Sequence, residues 1–131
     1  NTKAIVTREK MRIEFNEEKK VITISTPGKN TVEISDDDKH IKLTDQNKNE
    51  IVMNSSGISL SSAKDITLKA KGAITIEATS KINATAKQDV SLEGLNVKME
   101  AKVSATVKGN AKAELLASGQ TTVKGAMVMI N

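Results

Sequence analysis

An eight-residue spacing dominates this chain from Ile58 to Val123. Ile58, Ile66, Ile74, Ile82 and Val90 share one phase, and Leu60, Leu68, Ile76, Ala84 and Leu92 follow two residues later. Two further on, every position is small: Ser62, Ala70, Ala78, Ala86 and Gly94. One residue then drops out, and the pattern resumes with Val97, Ala105, Ala113 and Thr121, flanked by Met99, Val107, Leu115 and Val123. Such a repeat makes each octad one structural unit that buries its apolar face only by stacking on others.

Within each octad the apolar residues lie two apart, and polar ones such as Thr67, Lys69, Thr75 and Glu77 stand between them. That is the period of a strand with one buried face, and β-branched residues favour it. A helix would want apolar residues at i, i+3, i+4 and i+7, which would put each Ile pair on different faces. The spacing therefore predicts about five residues of strand and about three of corner, with the small residue letting the chain bend close to the axis. An antiparallel meander through the octads would want Asn-Gly or Asp-Gly turns, and the repeat corners have almost none. Two arrangements remain open on periodicity alone: a single-chain β-solenoid with three octads per coil, or a trimer with one strand from each chain around a shared core.

Phe15 is the only aromatic residue among 131. A compact monomer normally fills its core with several, so the expected core is thin, as in a narrow prism. Without cysteine, stability rests on burial and sheet hydrogen bonds. The N-terminus shows no signal-peptide pattern, and no apolar run approaches a membrane span. Beginning at Asn1 in strand-like sequence, the chain reads as a piece of a longer protein.

The 20 basic and 16 acidic residues are interspersed, which predicts a mixed, solvated surface. A nucleic-acid binder would want a basic stripe with stacking aromatics, so no nucleic-acid partner is expected.

Before the octads, Met11, Ile13 and Phe15 alternate, a charged stretch Asn16–Lys20 follows, and Ile22 and Ile24 alternate again. This predicts a β-hairpin in a neck over 1–30, joined to an upstream domain. Pro27-Gly28-Lys29-Asn30 marks a turn. From 31 onward the rungs are irregular: Val32 and Ile34, Ile41 and Leu43, Ile51 and Met53, with polar corners at Asp36–Asp38 and Asp45–Asn49. Asp36-Asp37-Asp38 near His40 lacks calcium-loop spacing and a second ligand cluster, so a solvated corner is expected, with no metal or other cofactor. A single histidine without an evident partner makes no triad, and no catalytic residue is assigned. The chain ends on Gly125-Ala126-Met127-Val128-Met129-Ile130-Asn131, which reads either as a last rung or as an open apolar sheet end awaiting a cap.

Several stretches are similar to the C-terminal spike region of VgrG proteins, the tip components of type VI secretion systems and relatives of contractile phage baseplate spikes. They are Asn1-Thr2-Lys3-Ala4-Ile5, Thr26-Pro27-Gly28-Lys29-Asn30, Ala113-Glu114-Leu115-Leu116-Ala117-Ser118-Gly119 and Val123 to Asn131. The resemblance implies an all-β fold: an intertwined homotrimeric triple-stranded β-helix, or prism, over 31–131 below the 1–30 neck. With about twelve rungs at ~4.8 Å each, the rod would be roughly 55–60 Å long. Its core would take Ile58, Leu60, Ile66, Leu68, Ile74, Ile76, Ile82, Val90, Leu92, Val97, Met99, Val107, Leu115 and Val123.

By the same resemblance, Met127, Val128, Met129, Ile130 and Asn131 from three chains would form a blunt platform for a PAAR-repeat tip protein. A missing upstream hub would connect to the tail tube, membrane contact would be transient, and the rod would be assembled in the bacterial cytoplasm before ejection. Some phage spikes carry a histidine-bound iron at their apex, and no histidine follows His40 here. The rival readings are a single-chain β-solenoid adhesin or stalk, an ice-binding solenoid, whose Thr array stops at Asn83, and a glycan-cleaving tailspike, whose paired acids no spacing supplies.

Overall fold

The computed structural model describes all 131 residues as β-strands, turns, bends and chain without regular secondary structure, with no helix, and hence none long and apolar enough to cross a membrane. Seven five-residue strands come first: β1 (Thr2–Val6), β2 (Arg12–Asn16), β3 (Val21–Ser25), β4 (Thr31–Ser35), β5 (His40–Thr44), β6 (Glu50–Asn54) and β7 (Gly57–Ser61). They form one open sheet in sequence order, every neighbouring pair antiparallel. By their internal contacts, Asn1–Ile76 and Glu77–Asn131 form two units.

The hairpin expected around Asn16–Lys20 is β2–β3, with Phe15 opposite Ile22 and Ile13 opposite Ile24. Its pairing does not end near residue 30. Ile24 faces Val32 across β3–β4, and the ladder continues without interruption to β7. The pairs Val32/Ile34, Ile41/Leu43 and Ile51/Met53, expected as rungs of the helix, are thus consecutive strands of a meander.

Five turns of this meander place a lysine at the left-handed position. Lys10, Lys20, Lys29, Lys39 and Lys48 all have positive φ, between 55° and 68°. Three connections of five residues (7–11, 26–30, 45–49) alternate with two of four (17–20, 36–39), which produces the alternating spacing of the strands. In the five-residue connections a tight turn is followed by the left-handed lysine. The Lys10 N–H donates to the Thr7 carbonyl (2.9 Å), Lys29 to Thr26 (3.0 Å) and Lys48 to Asp45 (3.2 Å). In the four-residue connections, Asn16 Oδ1 accepts from the Lys19 N–H (3.0 Å) and Ser35 Oγ from that of Asp38 (2.9 Å). The sixth connection, Ser55–Ser56, is a two-residue turn closed by Gly57 at φ +120°. The Asn-Gly and Asp-Gly signals sought in the sequence are therefore replaced in this half by side-chain caps and left-handed lysines.

Beyond Ser61 regular pairing stops, and bends recur at 63–64, 71–72, 79–80, 87–88, 95, 102–103, 110–111, 118–119 and 126–127. The step is eight residues except across Leu95, where the dropped residue was read. Only the spacing of the corners matches the expectation: the segments between bends, where strands were expected, have no strand pairing within the single chain. At Gly109 the corner is tight enough that a Cβ would overlap the Lys112 carbonyl, whereas the equivalent positions Ala70, Ala78, Ala86, Ala101 and Ala117 each hold a methyl group.

Candidate functional site: an open apolar face and a free end

Alternation gives the meander two chemically distinct faces. One carries two parallel apolar columns. Ile5, Ile13, Ile24, Val32, Leu43, Ile51 and Leu60 make the first, each opposite the next across a strand pair. Phe15, Ile22, Ile34, Ile41, Met53 and Ile58 make the second. A shallow apolar groove follows the first column past Leu43, Ile51 and Leu60 to Ile66.

The opposite face is polar and pairs its own charges. The Arg12 guanidinium donates to Glu14 at 2.7 Å, Lys42 lies 3.4 Å from Glu50, and a ring nitrogen of His40 lies 2.6 Å from Glu33. His40 therefore has the partner that sequence reading did not find. Asp38 completes a group in which the three side chains' ligand-capable atoms lie within 4.8 Å of one another. The signal was present in the alternation, which puts Glu33 and His40 on the same face of adjacent strands, but needed the β4–β5 register to be seen.

Burial is inverted relative to an ordinary half-buried sheet. The only buried residue in the chain is the polar Ser35, and no hydrophobic residue is buried. Ile24, Ile34, Leu43 and Ile51 are exposed, whereas Thr23, Glu33, Lys42 and Val52 on the other face are half-buried. The total accessible surface is 13215 Å² for 14.0 kDa, about twice the ~6,700 Å² expected of a compact chain of that mass. Large apolar side chains exposed in this number mark an interaction surface.

The proposed core positions are exposed likewise in the single chain, from Ile66 at 52% to Val107 at 79%. Ile58 and Leu60 lie on β7 at the foot of the two columns; Ile66, Leu68, Ile74 and Ile76 follow in the same unit. Ile82, Val90, Leu92, Val97, Met99, Val107, Leu115 and Val123 lie on straight segments of Glu77–Asn131. At the C-terminus a bend at 126–127 precedes Val128, Met129, Ile130 and Asn131, all exposed.

Between the sheet and the octads the chain is anchored by Asn49, whose Oδ1 accepts from Ser62 Oγ (3.1 Å) and the Ala63 N–H (3.0 Å). Asn49 also donates to Asp45 through its backbone (2.8 Å) and its side chain (2.9 Å). These bonds, with weaker help from Asn47, hold the Asp45 carboxyl below its ordinary range.

A sheet with one open apolar face, leading into octads that pair with nothing in their own chain, is an incomplete structure. The family model described as the phage baseplate V C-terminal trimerisation domain matches residues 21–131. The chain belongs to that family. Comparison with curated proteins returns no match. Membership supports self-association as a homotrimer and a structural role in a spike, as the VgrG-like stretches implied.

Proposed function

We propose that three copies of this chain form the rod of a membrane-puncturing spike in a contractile injection system of the type VI kind. The observation that carries this reading is the pair of in-register apolar columns left open along the whole meander. Turned inward, three such faces close a narrow core without aromatic bulk. The octads then place one strand per chain on each level, and their unpaired backbone groups find partners in the neighbouring chains. A single-chain solenoid would need those octads to pair with one another, and no strand pairing occurs after Ser61.

The role is mechanical. Interlaced chains separate only by breaking many levels together, so unfolding is slow and cooperative. An exterior without Trp or Tyr avoids lingering at lipid interfaces during passage. Met127 to Asn131 of three copies form a blunt apolar end that a PAAR-repeat tip protein covers, and an upstream hub joins the rod to the tail tube. The rod is loaded in the bacterial cytoplasm and leaves it by ejection.

Light scattering after size exclusion tests the assembly. A species of three times 14.0 kDa, about 42 kDa, is expected, and a clean single-chain mass would sink the rod reading. Capture of a PAAR-repeat protein by the full chain, lost when Met127 to Asn131 are removed, tests the platform.

A further inference from the structure

The meander's connections fall alternately on its two sides. One rim holds 7–11, 26–30 and 45–49; the other holds 17–20, 36–39 and 55–56. The first carries Arg8, Lys10, Lys29 and Lys48 against Glu9 and Asp45. The second carries Glu17, Glu18, Asp36, Asp37 and Asp38 against Lys19, Lys20 and Lys39. Four cations against two anions leave +2 on one rim, and three against five leave −2 on the other. Lys10, Lys29, Lys48, Asp36, Asp37 and Asp38 are all exposed, and none forms an ion pair within its own chain.

We propose that, in the trimer, the acidic rim of each meander lies against the basic rim of the next copy, so that these turns form the three corners of the prism. The proposal rests on the trimeric reading above and names which surfaces meet. A closed ring of three cannot use a self-complementary contact, so each copy must offer one rim and receive the other. With the apolar faces inward, strands run across the sides of the prism and turns lie at its corners.

Height matches as well as charge. A meander offsets the turns on its two rims by one strand, about 4.8 Å. The 36–39 turn, between β4 and β5, therefore meets the interval between the 26–30 and 45–49 turns of the neighbouring copy. That places the three aspartates between Lys29 and Lys48 of that copy. Glu17 and Glu18, which pair with Lys3 (3.6 Å) and the Asn1 ammonium (3.9 Å) of their own chain, fall between its 7–11 and 26–30 turns and add less to the contact. Opposite charge across each corner favours this pairing and rejects like-with-like alignment of rims.

Paired cysteines test it, since the chain has none of its own. Asp37→Cys and Gln46→Cys lie on opposite rims, separated within one chain by the length of β5, about 17 Å, so a linker shorter than that joins them only between copies. Treated with a short bis-maleimide, the double variant is expected to run on a denaturing gel as covalent dimers and trimers, while each single variant stays monomeric. A double variant that is trimeric in solution yet uncross-linked overturns the corner pairing alone. A wild-type chain that is not trimeric overturns the assembly first, and light scattering on the same sample distinguishes the two failures. As a second readout, reversing Asp36, Asp37 and Asp38 to Lys is expected to lower the melting temperature at low salt by a few degrees. Adding Lys29→Glu and Lys48→Glu should restore it. Failure of the compensating pair to restore it also overturns the proposal.

Discussion

The residues up to Ser61 and those after it apply the same alternation of apolar and polar side chains to opposite ends. In the meander, backbone hydrogen bonds are satisfied within the chain and only side-chain burial is missing. In the octads both are missing, since Ser62 to Asn131 form neither strand pairs nor buried positions. The first region has its secondary structure within the single chain; in the trimer proposed above, the second acquires it from the partners. Turn chemistry accounts for the difference: side-chain caps and left-handed lysines reverse the chain up to residue 61, whereas the octad corners only bend it.

The sharpest break of that contrast is a charge in the shared core. Ile82→Asp would bury three carboxylates at one level, and a cost above roughly 3 kcal/mol per copy is expected to abolish the trimer. Circular dichroism should then show strand signal retained from the meander while the octad contribution disappears. An unchanged melting temperature would remove Ile82 from the core. Hydrogen exchange sharpens the same point: on dilution below the trimer's dissociation range, amides after Ser61 should lose protection before those of β2 to β6.

A smaller effect is expected at Gly109, where the added methyl of Gly109→Ala would press on the Lys112 carbonyl. A loss of about 1–3 kcal/mol is expected, read as a lower melting temperature; an Ala variant as stable as the wild type would show that the corner widens freely.

Asp45 gives a pH dependence confined to the meander. Its carboxyl titrates below its ordinary value near 3.8 because the folded state hydrogen-bonds the charged form. Its contribution is therefore complete above that value and is lost as pH falls through the lowered folded value. Acidification below about pH 4 should loosen the 45–49 turn and the Asn49 bridge to Ser62, and Asp45→Asn should flatten that part of the profile. The smallest effect is expected from Lys20→Gly, which relieves a left-handed backbone and should stabilise β2–β3 by about 0.5–1 kcal/mol.

Much of this was legible in the residues because period is a strong signal. The octad phase anticipated the bends, including the short step at Leu95, and the alternation around Phe15 anticipated β2–β3. The continuation of antiparallel pairing through β7 was not legible, because five of its six turns use a lysine where glycine, asparagine or aspartate would have announced a left-handed residue. Glu33 was missed beside His40 for a related reason: seven residues separate them, and only the register of two strands joins them. The number of copies was not in the periodicity: the VgrG-like stretches implied three, and the family match supports it.

The bends also make the octad region a ruler. Adding or removing a whole eight would change the number of graduations while leaving every other side chain on its proper side. A change by an odd number of residues shifts inward residues outward for the remainder of the chain, and an even one short of eight displaces the corners, unless a corner absorbs it. The seven-residue step at Leu95 is one corner that does so: the apolar phase after it resumes at Val97 with its small residue still in place at Ala101. In the proposed rod, reach would therefore change in steps of one graduation, with the alternation of side chains undisturbed.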